Sequence, residues 1–138
     1  MRYLSLAEAL LIAETVTGLE ASTLVRVCQV ELLDSALHAP QAGFGEEDFY
    51  PGFVEKAAVL VVRIVRNHPL PDGNKRLGWQ ALTMFCALND HDLRIHADDA
   101  VVTMQAIAAG ERDEAAIAMW LAERLQAGTR KATPLTRR

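Results

Sequence analysis

Apolar residues recur every three to four positions along most of the chain, which is the spacing of one face of an α-helix. The first such run opens at Ser5, where Ser5 and Glu8 form the capping-box pattern that typically begins a helix. Gly18 follows the last apolar position of this run and predicts its end, since glycine commonly closes helices. A second helix is predicted from about Thr23 to Leu37.

A third helix is predicted between Phe53 and Asn67, where the chain is apolar nearly all round. Several of its residues are β-branched, but its length and its lack of turn residues favour a helix over a strand. A helix that is apolar on all sides has to be buried, so this one is predicted to run through the middle of the domain. Just before it, the segment from Pro40 to Gly52 is rich in glycine and acids and predicts a loop or a short hairpin-like flap.

Three further helices are predicted in the second half of the chain, the last two with an aspartate as N-cap. Their predicted bounds are Gly73 to about Leu88, Asp98 or Asp99 to Ala109, and Asp113 to Gln126. No strand–helix alternation and no internal repeat interrupts this pattern. The chain is therefore predicted to be an all-α bundle of about six helices with a short flap before the central helix. Residues 1–127 form the expected domain, and residues 128–138 a mobile basic tail.

Composition and charge narrow the classes of function. The chain of 138 residues is 51% hydrophobic, so extensive disorder is excluded, and its net charge of −4 argues against coating DNA or RNA. No apolar run approaches the ~20 residues that span a bilayer. We therefore expect a cytoplasmic protein without a membrane or a direct nucleic-acid partner. Cys28 and Cys86 lie in apolar runs without a CxxC partner, which predicts reduced cysteines in the core.

The candidate chemistry is concentrated between Asn67 and Arg76, where the sequence reads NHPLPDGNKR. The free N–H groups of a helix start carry partial positive charge, so Lys75 and Arg76 in the first turn of a helix oppose its dipole. Their position makes sense if an external anion binds there, because free amides, a glycine and cations together form a phosphate site. The alternative is that Asp72 simply caps the helix, with both cations in solvent and His68 an ordinary loop residue.

Two of these residues suit the central tasks in moving a phosphoryl group from ATP to a protein hydroxyl. His68 is a candidate general base, because an imidazole exchanges protons near neutral pH. Asp72 offers hard carboxylate oxygens, the ligand type that holds Mg²⁺ together with substrate phosphates and water. We therefore assign His68 to catalysis and Asp72 to catalysis and metal binding.

The other four motif residues suit the binding of the phosphates. Gly73 and the N–H groups of Asn74 and Lys75 are predicted to form an anion cradle at the start of the helix. Arg76 can hold phosphate oxygens with two parallel donors, whereas Lys75 acts as a point charge. Gly73, Asn74, Lys75 and Arg76 are thus the predicted nucleotide-binding residues, with catalytic roles for the two cations.

The segment from His68 to Arg76 resembles the signature of the Fic/Doc family. Its general form is His-Pro-Phe, a variable residue, an acid, and then Gly-Asn-Gly-Arg or Gly-Asn-Lys-Arg. The chain is more similar to the Doc (death-on-curing) branch, because Lys75 stands where most Fic proteins have the second glycine. The segment Gly43–Pro51 and the helix from Val54 to Arg66 also resemble the flap and the preceding helix of that branch. The resemblance implies the same helical fold over residues 1 to about 127.

The resemblance implies specific roles for these residues. The histidine matching His68 activates the target hydroxyl, the acid matching Asp72 binds Mg²⁺, and the segment matching Gly73 to Arg76 binds the nucleotide phosphates. Most of the family transfers AMP. In Doc-like members a lysine matching Lys75 goes with an inverted nucleotide, so that the γ-phosphate faces the target.

Such Doc-like members resemble kinases and silence a translation elongation factor by modifying one threonine. We therefore expect a Doc-type toxin, an ATP-dependent protein-serine/threonine kinase that causes growth arrest. The alternatives are an AMP transferase and a catalytically idle module that only binds an antitoxin.

Two positions depart from the family pattern. Leu70 replaces a phenylalanine, for which we expect a packing change only, and Trp79 stands where the signature often has a second arginine. Trp79 is expected to be a core aromatic. Many Fic enzymes restrain themselves with a Ser/Thr-x-x-x-Glu helix, but no glutamate of this chain has a serine or threonine four positions before it. We therefore expect restraint by a cognate antitoxin, since Doc-like toxins are held by a small partner whose segment folds along a groove.

Overall fold

The helical pattern of the sequence is realised along almost the whole chain. The computed structural model describes the backbone of residues 1–136 and the side chains of residues 1–125. Within them, seven α-helices accompany one short 3-10 helix and one two-stranded hairpin, which confirms the predicted all-α fold. The elements are α1 Leu6–Thr17, α2 Ala21–Val27, α3 Val30–His38, the 3-10 helix Ala39–Gln41, β1 Gly43–Phe44, β2 Glu47–Asp48, α4 Phe53–Asn67, α5 Asn74–Leu88, α6 Ala97–Ala108 and α7 Glu114–Thr136.

Helix α4 is the centre of the core, as its apolar sequence predicted. Nine of its residues between Lys56 and Val65 are buried, and the helix contacts α3, α5, α6 and α7. Gly78 brings α5 close to it, because a Cβ built on Gly78 would lie 2.6 Å from Cγ2 of Val65. This contact fixes the start of α5 relative to the end of α4. Despite the apolar character of α4, no helix in the described residues has the length and hydropathy needed to cross a membrane.

Helix α1 begins and ends where its sequence predicted. The N–H of Glu8 donates to Oγ of Ser5 at 3.1 Å, and the N–H of Ser5 donates to Oε1 of Glu8 at 2.9 Å. Gly18 ends the helix in the left-handed conformation, with φ 75°. Each of these signals acts between neighbours in the chain, which is why the sequence alone places both ends.

The predicted second helix is wrong, because the structure divides it at Cys28 and Gln29. Cys28 is extended with ψ 142°, and the N–H of Gln29 donates to the carbonyl oxygen of Pro69 at 2.8 Å. A helix that continued through Gln29 would need this N–H for its own hydrogen bonds. A long-range bond therefore overrides a local pattern that continued from about Thr23 to Leu37.

The predicted flap is a small hairpin whose base is held by a buried lysine. Strands β1 and β2 pair antiparallel, with Gly43 opposite Asp48. The side chain of Lys56 on α4 is almost fully buried; its Nζ donates to the carbonyl oxygen of Pro40 at 3.0 Å and lies 3.5 Å from Oδ2 of Asp48. A buried ammonium is tolerated only with such partners, so Lys56 ties the base of the flap to the central helix.

The start of α6 differs from its prediction. His96, not Asp98 or Asp99, is the N-cap, and its Nδ1 accepts a hydrogen bond from the N–H of Asp98 at 3.2 Å. The two aspartates lie in the first turn instead, where negative charge suits the helix dipole. Helix α7 starts as predicted, since Oδ1 of Asp113 accepts from the N–H of Ala116 at 2.9 Å.

Helix α7 is longer than predicted. We expected it to end at Gln126, before the weak helix former Gly128, but the helix accommodates this glycine and continues to Thr136. Residues 137 and 138 and the side chains of the predicted basic tail lie outside the described part of the chain. The division into residues 1–127 and 128–138 therefore stays a prediction.

The two cysteines are buried and form no disulfide, which confirms their assignment to the core. Burial raises the pKa of the Cys28 thiol and raises the pKa of the Cys86 thiol to about 12. Thiols with raised pKa values are poor nucleophiles near neutral pH, because the thiolate is the reactive form. Their contribution is to packing.

A polar contact joins α6 to α7 through Asp99. Its Oδ1 accepts from Nε1 of Trp120 at 3.2 Å, and its Oδ2 accepts from Nε of Arg124 at 2.7 Å. Burial by itself would raise the pKa of Asp99, but the hydrogen bonds from Arg124 and Trp120 outweigh it and leave the pKa below its ordinary value of 3.8. A lowered folded-state pKa stabilises the fold fully above the unfolded-state value, and this stabilisation is lost as the pH falls through the folded-state value.

We predict that Asp99→Asn lowers the free energy of unfolding by about 1 kcal/mol at neutral pH, a modest figure because the pair is partly exposed and screened. At an acidic pH below the ordinary value of 3.8 the difference from the wild type should shrink, because the carboxylate of the unfolded wild-type chain then becomes protonated. Urea unfolding at both pH values measures this. Asp98→Asn is the matched control, because the side chain of Asp98 is 93% exposed. An equal loss for Asp99→Asn at both pH values would contradict a role for the charge.

Candidate functional site

His68 ends helix α4 in a left-handed backbone conformation, with φ 53° and ψ 55°. Non-glycine residues adopt this conformation rarely, although histidine, asparagine and aspartate do so more often than most. The N–H of His68 still donates to the carbonyl oxygen of Ile64 at 3.3 Å, while its side chain is exposed. The chain therefore turns sharply here and presents the imidazole to solvent at the end of the central helix.

The buried side chain of Asn74 holds the loop that follows His68. The N–H of Leu70 donates to Oδ1 of Asn74, and Nδ2 of Asn74 donates to the carbonyl oxygen of Leu70, both at 2.8 Å. Leu70 is itself buried in the core. The side chain of Asn74 is thus committed to the loop. The backbone N–H of Asn74 is among the uncapped groups at the helix start.

Helix α5 begins at Asn74 without a side-chain cap. Its N-cap is Gly73 at φ 92°, and Asp72 uses Oδ1 only to accept from the N–H of Gly73 at 2.9 Å. The interpretation in which Asp72 caps the helix is therefore wrong. The first N–H groups of α5 keep their partial positive charge and have no side-chain acceptor within the described residues.

Gly73 leaves little room for a side chain. A Cβ built on Gly73 would lie 3.1 Å from Cγ1 of Val16 and 3.4 Å from Nη2 of Arg76, and its positive φ strains any other residue. The end of α1 therefore packs directly against the start of α5.

The motif residues surround one hollow of about 170 Å³. Its lining consists of Val65, His68, Asp72, Gly73, Asn74, Lys75, Arg76 and Ala108. The structure thus brings all six predicted site residues to one place. Lys75 and Arg76 are exposed and form no ion pair with any described side chain. Both cations are available to an external anion.

A larger apolar groove adjoins this hollow. It has a volume of about 810 Å³, lies between α1, α5 and α6, and shares Lys75 and Arg76 with the hollow. Trp79 also lines it, and is half-buried: one part of the ring packs against the core and another faces the groove. The expectation that Trp79 is a core aromatic therefore holds only in part, because no described element covers this face of α5.

Asp72 is the predicted metal ligand in the hollow, and its surroundings fit that role. The residue is exposed, and Oδ2 makes no hydrogen bond within the described part of the chain. No three His, Cys, Asp or Glu side chains cluster as a metal cage within the described residues. Mg²⁺ is usually held by one or two carboxylates together with substrate phosphates and water, so a single carboxylate beside an anion site suits it.

Three contributors to the site could not be identified from the sequence. Gln29 holds the loop through Pro69, Val16 packs against Gly73, and Ala108 forms a wall of the hollow. Each lies on an element remote from the motif in the chain. No local signal marks such residues, because only the tertiary fold brings them to the site.

We predict that Asn74→Ala lowers the free energy of unfolding by about 2 kcal/mol, because it leaves buried polar groups of Leu70 without partners. Asn67→Ala is the matched control. Its Nδ2 donates to the carbonyl oxygen of Leu32 in a partly exposed position, so the expected loss is below about 1 kcal/mol. Urea unfolding of both variants measures these losses. Equal losses of unfolding free energy in the two variants would show that Asn74 does not hold the loop.

Comparison with known proteins agrees with this geometry. Toxin Doc of Mycolicibacterium smegmatis is 40% identical to the chain over 74 residues. The aligned part is 54% of this chain and 57% of the relative, so the chain spans little more than half the length of that protein. The model of the Fic/DOC family matches residues 3–86, which is more than half of the chain and includes the whole of the motif from His68 to Arg76. The chain belongs to the Fic/DOC family.

Proposed function

We propose that this chain is a Doc-type toxin, a protein kinase that transfers a phosphate from ATP to a serine or threonine hydroxyl of a translation factor in the cytoplasm. One observation carries the proposal: an exposed imidazole, an exposed carboxylate and an uncapped helix start with two cations line the same hollow. The family supports a transferase, and the relative named Toxin Doc supports a toxin. Growth arrest is the expected result of its activity.

The geometry suits phosphoryl transfer in the following way. The free N–H groups of α5, with Lys75 and Arg76, bind and orient the phosphates. Mg²⁺, when bound by Asp72 and the phosphates, neutralises part of their charge. The imidazole of His68 accepts the proton of the target hydroxyl as its oxygen attacks the γ-phosphorus. The bond from the γ-phosphorus to the bridging oxygen breaks, and ADP leaves.

Transfer of AMP by the same site is the second candidate. Lys75 favours the kinase, because the resemblance implies that a lysine at this position goes with a nucleotide whose γ-phosphate faces the target. Trp79 points the same way, since it replaces the second arginine of the signature found in many AMP-transferring members. An apolar ring in the groove cannot supply the charge that an arginine would.

A cognate antitoxin is the proposed partner, and the apolar groove is its proposed docking site. The groove lies between helices and ends at Lys75 and Arg76, so it suits an amphipathic helix with an acidic residue at that end. An idle module would use the same groove without any chemistry. Replacing His68 distinguishes the toxin from the idle module, because the effect of an idle module does not depend on the imidazole.

We predict that His68→Asn lowers the rate of phosphate transfer at least about a hundredfold, because the general base is lost. Growth arrest should disappear with it. Asparagine tolerates a left-handed backbone, so the melting temperature should change little. The measurements are growth after induction, intact mass of proteins in the lysate, and thermal unfolding.

The matched control for this variant is His96→Asn. Asparagine is also a good N-cap, and the side chain of His96 is 75% exposed. This variant should remain toxic. Persistent growth arrest by His68→Asn would rule out the proposed chemistry and favour the idle module.

We predict that Lys75→Gly lowers phosphoryl transfer and permits some AMP transfer, because it restores the glycine found in most Fic proteins. Purified protein, a lysate as the source of target, and ATP labelled on either the α- or the γ-phosphate distinguish the two reactions. The wild type should transfer label only from the γ-position. Transfer of the α-label by the wild type would contradict the proposed kinase activity and show that the protein transfers AMP.

A further inference from the structure

One guanidinium on the central helix holds both ends of the turn between α6 and α7. Nη2 of Arg66 donates to the carbonyl oxygen of Arg112 at 2.7 Å, and Nε donates to the carbonyl oxygen of Ile107 at 3.4 Å. These two carbonyl groups lie on either side of the turn. A planar guanidinium can serve both at once, whereas the single amine of a lysine is a poorer match for two separate acceptors.

The residues just before and after the turn are attached to the core, since Ile107 is buried and Oε2 of Glu114 lies 3.5 Å from Nε of Arg63 on α4, but the turn itself is not. Residues 108–111 are exposed, and Gly110 has φ 75°. The N–H groups of Ala109, Gly110 and Glu111 donate to carbonyl groups of α6, so they fix the shape of the turn but not its position against α4. Exposed alanine and glycine bury little apolar area, so packing contributes little to that position.

The same turn forms part of the hollow. Ala108 lines it beside His68, and Arg66 precedes His68 by two residues on α4. Any shift of the turn relative to α4 therefore changes the width of the space next to the imidazole. We propose that Arg66 is a positioning residue, which holds the turn of residues 108–111 against the hollow and thereby sets the width of the hollow for the nucleotide. The part of this inference that concerns the nucleotide rests on the proposed function.

Hydrogen–deuterium exchange tests the structural half of the inference without any activity. In Arg66→Met the amides of residues 109–111 should exchange on the order of tenfold faster than in the wild type, because a turn that is no longer held to α4 opens locally more often and breaks its hydrogen bonds to α6. Arg66→Lys should fall between the two. Arg26→Met is the matched control, since Arg26 is exposed on α2 and has no ion pair with any described side chain. Unchanged exchange at residues 109–111 in Arg66→Met would overturn the inference.

Calorimetric titration with ATP and Mg²⁺ tests the functional half. Arg66→Met should bind about tenfold more weakly than the wild type, with partial rescue in Arg66→Lys and no change in Arg26→Met. Equal affinity of Arg66→Met and the wild type would overturn the positioning role. If the wild type itself bound no ATP, the proposed function would fail, and the exchange measurement would still decide whether Arg66 holds the turn.

Discussion

The side-chain amide of Asn74 satisfies both backbone polar groups of Leu70, and the open start of helix α5 depends on this pair of hydrogen bonds. An asparagine close to a helix start often caps it, and its oxygen would then occupy the N–H groups that an anion needs. Here the amide points back into the loop, and Gly73 takes the N-cap position without offering a side chain. The positive end of the helix dipole therefore stays accessible, next to Lys75 and Arg76.

How much of the structure the sequence predicts depends on the range of the interaction concerned. Helices α1 and α4 were predicted closely, because a capping box, a terminal glycine and a continuous apolar run act between neighbours. The break at Gln29 was missed, because it depends on a hydrogen bond to Pro69, some forty residues away. The motif residues were found because they are consecutive. The walls of the hollow, such as Ala108, come from elements that only the fold brings together.

The two cations at the start of α5 belong to two surfaces at once. Lys75 and Arg76 line the small polar hollow and also the end of the apolar groove. Neither cation has a charged partner among the described side chains, so a negatively charged group could bind to them from either surface. On the proposed function, a nucleotide and an acidic partner helix would compete for these side chains. Control of the enzyme would then need no conformational change in the chain itself.

The contact between Gly78 and Val65 makes α4 and α5 behave as one rigid unit at the site. His68 caps the end of the first of these helices, and the uncapped N–H groups begin the second. The packing of Gly78 against Val65 therefore fixes the distance between them. A methyl group added at Gly78 would push α5 away from α4 while leaving every motif residue unchanged. On the proposed function, it would lengthen the distance between His68 and a phosphate bound at the start of α5. On the proposed function, the alignment of the reacting groups would thus depend on Gly78, which is not among the predicted site residues.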